Sequence, residues 1–231
     1  LPALIKGEID WSGIFVADVE KSFVSVNPDN NHYWYPANDA VHLYLNTKEK
    51  PFDDLQVRKA LSMALNRPDI VELAVYGYPT VNHNAGGIGD LYEGFIDKSV
   101  TSKYKQITTY HPEKAKKILD DAGYKDTNND GFREMGDGEN ISFDINVVNG
   151  KTDWFQVSLM VIESFEEIGI KANVNKVDWS FFYSDFKSSE NKMFINGSAV
   201  ATNPIEVFQR YFSSIKSPKI QILMNSFSLT E

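Results

Sequence analysis

Cysteine is absent from all 231 residues. Disulfides, thiolate metal sites and cysteine nucleophiles are therefore excluded, and an exported protein is permitted without being required. No apolar run approaches the roughly 20 residues that a membrane-spanning helix needs. Basic character is also short: 23 Lys and Arg stand against 32 Asp and Glu, a net charge of −9. No basic run is placed to neutralise phosphates, so nucleic acid is not an expected partner. An initiator Met and a signal segment are missing too. The chain opens on Leu1-Pro2-Ala3, from which a mature or excised piece is expected.

Recognisable chemistry is equally sparse. The four histidines, His32, His42, His83 and His111, share neither metal spacing nor a helix face. Glu166-Glu167 and Asp120-Asp121 read as solvated helix residues, and no close carboxylate pair stands out for acid–base work. Asn149-Gly150-Lys151-Thr152 ends like a phosphate loop, but Ile145 stands where its first glycine belongs. Gly86-Gly87-Ile88-Gly89 lacks the following helix start and Lys-Ser/Thr pair of a phosphate cradle. Ser213-Ser214-Ile215-Lys216 fits an acylating Ser-x-x-Lys pattern without its partner motifs. Asn196-Gly197-Ser198 is a glycosylation sequon, meaningful only in a eukaryotic secretory setting. A binding module needs no nucleophile, only a cleft with apolar walls and a few placed polar groups. A hydrolase or metal-dependent enzyme is the alternative reading.

What is present is globular. Hydrophobic residues make up 42% and charged residues 24% of the chain, ordinary values for a folded domain. Aromatics reach 13%, enough to fill a core and still offer rings for stacking on sugars or wrapping a flexible ligand.

The most informative stretch is Pro51–Gly77. Asp53 stands at an N-cap position after Phe52, and Val57, Ala60, Leu61, Ala64 and Leu65 form one apolar stripe. Asn66 closes that helix, Pro68 opens the next and Gly77 ends it. Upstream, Leu1–Asp10 reads as a helix tail capped by Gly7, Asp18–Phe23 as a short helix and Asn27–Asn31 as a turn. Tyr33-Trp34-Tyr35 and Val41–Leu45 are expected to pair as a hairpin around Pro36–Asp39. Tyr78–Phe95 reads as a long loop. Downstream, Tyr110–Tyr124 is a helix with Pro112 at its start and Gly123 at its stop. Ile141–Val148 alternates as a half-buried strand, Trp154–Ile168 is a helix, and Ile170, Ala172 and Val174 mark another strand. Asp178 caps a short aromatic helix that begins at Trp179. Lys192–Asn196 is a strand and Pro204–Phe212 a helix. Strands alternating with helices predict a mixed α/β (α+β) sheet. No internal repeat or linker divides residues 1–231, so a single domain is expected.

One acidic loop carries metal chemistry. Asp126, Asn128 and Asp130 supply oxygens at the first, third and fifth positions of a calcium loop, and Gly131 sits at the sixth. Asp137 occupies the twelfth, where a Glu is usual, and a strand rather than a helix follows. A weak Ca²⁺ site and a turn rich in Asx hydrogen bonds are the two readings. No other cofactor is expected.

The residues Pro51-Phe52-Asp53, Val57-Arg58, Ala60, Ala64, Asn66-Arg67, Ile70 and Gly77 resemble the most recognisable segment of bacterial extracellular solute-binding protein family 5. These proteins serve oligopeptide-type ABC importers. Gly7-Glu8-Ile9-Asp10, the Pro112-Glu113-Lys114-Ala115 helix ending in Ala122-Gly123-Tyr124, and the Asp126–Gly131 turn are similar to family features as well. The resemblance runs from Gly7 to about Phe212. It implies a lobe of the type II periplasmic-binding-protein fold, the second lobe (domain III) of a two-lobe clamp, with the first lobe absent. It further implies an extracytoplasmic bacterial or archaeal location, as a periplasmic protein or cell-surface lipoprotein. A membrane permease would be the partner, and the protein a monomer.

Peptide-binding members carry a Trp and carboxylates in the loop matching Asn196–Pro204, where an Asp pairs with the ligand's amino group. Here only Pro204 corresponds. A buried ammonium without a counter-charge costs several kcal/mol. Neutral Asn196, Ser198 and Asn203, with Asn46 and the rings of Trp34 and Trp179, are accordingly the candidate ligand-binding residues. They suit a short oligosaccharide at least as well as an oligopeptide.

Overall fold

The computed structural model describes residues 1–34, 40–84, 88, 90–182, 193–197, 203–207 and 221–229. In chain order the helices are α1 (Pro2–Ile5), α2 (Val19–Ser22), α3 (Leu55–Ala64), α4 (Arg67–Asp69), α5 (Lys98–Thr108), α6 (Pro112–Asp121) and α7 (Thr152–Glu167). The strands are β1 (Ala40–Leu45), β2 (Pro79–Val81), β3 (Ser142–Val148), β4 (Lys171–Val177), β5 (Met193–Gly197) and β6 (Gln221–Leu229). They form one mixed sheet in the order β2-β6-β1-β5-β3-β4. β3 runs parallel to β4 and β5, whereas β1 is antiparallel to β5 and β6, and β2 to β6. The mixed α/β class expected from the sequence is the observed one.

The main core lies on one face of this sheet. Leu43 and Leu45 of β1, Phe143 and Ile145 of β3 and Ile195 of β5 are all at most 5% exposed. Against them pack the apolar stripe of α3 and the inward residues Val157, Val161 and Phe165 of α7. Phe143 is gripped edge-on by Phe52, centroids 4.9 Å apart, and by Phe165 at 6.0 Å.

The corner after α3 explains its sequence. Asp54, not Asp53, is the N-cap, its Oδ1 accepting the Gln56 N–H at 2.7 Å. Asn66 caps the start of α4 rather than the end of α3, because Leu65 has already turned extended. α4 continues into a wide π turn over Ile70–Ala74. Tyr76 and Gly77 then reverse the chain at φ 60° and 69°. Arg67 is 1% exposed. Its Nη1 donates to the carbonyls of Ser62 and Leu65 and, at 2.7 Å, to that of Thr108, which ties the corner to the end of α5. Burial lowers this guanidinium to about 9.

Three expectations fail for topological reasons. Both edges of β1 are taken by β5 and β6, so no hairpin joins it to Tyr33-Trp34, which are irregular. Tyr35 and Pro36–Asp39, and residues 208–212 of the helix expected over Pro204–Phe212, lie outside the described residues. The stretch from Tyr78 to Phe95 is not all loop: it holds edge strand β2 and a 3-10 segment at Asp90–Phe95. β3 is not half-buried throughout, since Asn146 and Val148 are 9% and 6% exposed, because the sheet is covered on its second face too.

Candidate functional site

That second face is built from alternate residues of the same strands. The period of two that sends Leu43 and Ile195 to the main core sends Tyr44 and Phe194 to the other side. These two rings are register partners on β1 and β5 and stack at 4.7 Å with only 5° between their planes. Phe182, from the turn of helix at residues 179–182, meets Phe194 edge-on at 5.4 Å. Val148, Val177, Tyr92 and Val207 complete a small buried cluster. Trp179 stacks on Phe182 at 5.5 Å and 10° and remains 57% exposed. One broad ring face is therefore open above an apolar floor.

Polar groups border the rings. Asn196 lies two residues from Phe194 and so on the same face, opposite His42. It is half-buried, and its Oδ1 accepts the Gly197 N–H at 3.0 Å. His42 is fully buried, and that burial lowers it to about 3, so it is neutral at physiological pH. Between β3 and β4 the Asn175 side-chain amide donates to Asn146 Oδ1 at 2.8 Å, and just past their ends Asn149 donates to Asp178 at 3.0 Å. Asn203 sits at the start of the helical turn at residues 204–207, accepting the Glu206 N–H at 3.1 Å. Rings and amides of this kind can hold a neutral, hydroxyl-rich or amide-rich molecule by stacking and hydrogen bonding.

The predicted ligand residues thus divide. Trp179 and Asn196 border one patch, from the segment after β4 and from strand β5, and Asn203 begins the helical turn whose Val207 is buried in the same cluster. Trp34 and Asn46 do not join them. Trp34 is 66% exposed beside Tyr33, whose ring packs on Tyr78 at 5.9 Å. Asn46 is 1% exposed, and its Oδ1 accepts the Lys48 N–H at 3.1 Å to shape the turn after β1. Ser198, Gly86-Gly87, Gly89 and Ser213–Lys216 lie outside the described residues. Sequence reasoning did not find the floor of the patch, Tyr44, Phe182 and Phe194. For Tyr44 and Phe194, period-two placement on expected strands was the available signal, hidden by the assumption that one face is wet; for Phe182 it was the aromatic run after Asp178.

The acidic loop is also rearranged. Asp126 and Asp130 come together with Glu134, donor oxygens all within 4.8 Å of one another, and Asp137 is not part of this group. A backbone bridge between Glu134 and Asn140 folds the chain back on itself. Asp137 is left exposed at the tip of that turn, accepting the Glu139 N–H at 3.1 Å. Asn128 accepts the Asp130 N–H at 2.8 Å. The Asn140 amide and the Phe132 N–H hold the Asp130 carboxyl below its usual range. Glu134 occupies the ninth loop position, where calcium loops also place a ligand.

Fold and patch together give a mixed sheet with one aromatic, amide-fringed face. The chain belongs to the bacterial extracellular solute-binding proteins of family 5, whose middle region it matches over residues 1–218. The oligopeptide-binding protein AppA of Bacillus subtilis is 33% identical over 141 residues, 61% of this chain and 24% of that protein. The periplasmic oligopeptide-binding protein of an ABC transporter from Thermotoga maritima, solved with mannohexaose bound, superposes with a TM-score of 0.77 at 28% identity. That match covers 90% of this chain and 39% of the Thermotoga chain. AppA solved with a nonapeptide gives a TM-score of 0.77 at 25% identity, over 93% of this chain and 41% of that one. The chain thus spans well under half the length of these relatives. Among the described residues no helix is long and apolar enough to cross a membrane.

Proposed function

We propose that residues 1–231 form a single domain, one lobe (domain III) of an extracytoplasmic solute-binding protein in a bacterium or archaeon. In this reading the second face contributes one wall of an inter-lobe cleft. The cleft captures a short oligosaccharide or an oligopeptide, and the protein, a monomer, delivers it unchanged to an ABC permease. The observation that carries the reading is the likeness, over 90% of this chain, to a family member with mannohexaose bound. The open ring of Trp179 on Phe182, with Asn196 on the same sheet face as Phe194, supports a sugar. Similarity to nonapeptide-bound AppA supports a peptide.

Calorimetric titration of the intact protein with manno-oligosaccharides and with free-amine peptides tests this. Heat from the glycans, lost in Trp179→Ala, is expected. Tight binding of the peptides alone would overturn the preference for sugar, and turnover of either ligand would overturn the binding role itself.

A further inference from the structure

We propose that the loop between α6 and β3 is a calcium site held by Asp126, Asp130 and Glu134, and that the ion acts as a structural clasp on this lobe. The three carboxylates converge with donor oxygens within 4.8 Å. Oxygens on opposite sides of a Ca²⁺ ion lie roughly 4.6–5.2 Å apart, so the group fits inside one coordination sphere without rearrangement.

Glu134 supplies the decisive observation. It is 5% exposed, and its Oε1 accepts no hydrogen bond among the described residues. Its Oε2 is satisfied, taking the Thr127 N–H at 2.8 Å and the Thr127 hydroxyl at 3.1 Å. An orphaned oxygen on a buried carboxylate is costly, and a cation seated between it and the two Asp groups removes that cost.

Protein cations do not do so. Among the described residues no Lys or Arg forms an ion pair with any of the three. The adjacent Arg133 is committed elsewhere, donating to Asp120 and to the carbonyls of Tyr124 and Ile168. Lys171 is near enough to act on Asp130 through space, but three carboxylates are gathered with no cation in direct contact among the described residues. The donors are all oxygen, as a hard cation prefers, with neither imidazole nor thiolate among them. Asn128 at the third position and the Phe132 carbonyl at the seventh are the further ligands that such a loop offers.

The mechanical consequence follows from Arg133. Its main chain donates to the Gly169 carbonyl and its side chain to that of Ile168, fastening the loop to the end of α7. An ion fixing Glu134, the next residue, clamps the same junction. This inference is independent of the ligand carried in the cleft.

The test is calorimetric titration of the intact protein with CaCl₂, paired with thermal melts in Ca²⁺, in Mg²⁺ and in chelator. With two of its carboxylates exposed, the site is expected in the weak class, Kd about 10⁻⁴–10⁻³ M, with a higher Tm in Ca²⁺. Glu134→Gln keeps the shape and an acceptor for Thr127 while removing the charge. It is expected to fold normally, to melt no lower than the parent in chelator, and to bind Ca²⁺ at least tenfold more weakly. Asp130→Asn, with its target away from the core, is expected to show the same loss. No heat and no Tm shift at about 10 mM Ca²⁺, well above that class, overturns the proposal. A Ca²⁺ response that survives in both variants, or one matched by Mg²⁺, overturns it as well.

Discussion

The two faces of one sheet are covered by different means. On the first, α3 and α7 lay continuous apolar stripes over β1, β3 and β5, and the contacts are mostly aliphatic, with a Phe52–Phe143–Phe165 chain and Trp154 among them. On the second, cover comes from short pieces: a turn of helix at 179–182, the 3-10 segment and single residues such as Ile88 and Val207. Rings stack there instead of interdigitating, and amides fringe them. Buried area on the first face holds the fold together. The second face buries less and leaves an open ring and half-buried polar groups, the features on which the proposed ligand cleft rests.

That contrast can be broken most sharply in the main core. Phe165→Ala removes a fully buried ring and is expected to cost about 3–5 kcal/mol, read as a lower urea midpoint. A loss below about 1 kcal/mol would mean that the helical face does not carry the fold. Arg67→Ala comes next, at about 2–4 kcal/mol, since it takes the side-chain donor from the Ser62 and Thr108 carbonyls in a dry corner and removes a fully buried side chain. Arg67→Lys should restore only part of this, because an ammonium lacks the reach and the planar fork.

Acid tests the second face. His42 has a folded pKa lowered to about 3 by burial, against about 6.5 when unfolded. The unfolded chain therefore binds more protons below pH 6.5, and stability, fully present above that pH, is lost as the pH falls toward 3. Between pH 7 and pH 5 the loss is about 2 kcal/mol, with His83, also lowered by burial, pulling the same way. A urea midpoint unchanged over this range would contradict the burial of His42. The smallest effect belongs to Trp179→Ala, about 0.5–1 kcal/mol, because its ring is more than half exposed and stacks on one neighbour. A large stability loss here would turn Trp179 into a core residue and count against its proposed place in a ligand cleft.

How much of this was legible in advance depended on the residue's neighbours. The α3 stripe, α6 with Pro112 and Gly123, and the β3–α7–β4 unit were readable because period and caps agree locally. α5 was not. Its sequence offers Val100 and Ile107 but no continuous stripe, and of its residues only Thr108 is buried, so its start is marked by little more than the Asp97 cap. Of the candidate site residues, Trp179 and Asn196 lie by the aromatic patch and Asn46 is buried in the turn after β1. Sequence does not show that difference, because a polar residue satisfied in a buried turn looks the same there as one facing outward.

The amino-acid order determined the elements, their class and the family, since hydrophobic period, caps and turn residues are local properties written within a dozen neighbours. Tertiary structure alone decided which strands meet, that β1 lies inside the sheet, and that Glu134 rather than Asp137 joins the two aspartates. Pairing and burial are set by residues far apart in the chain, and no local pattern encodes them.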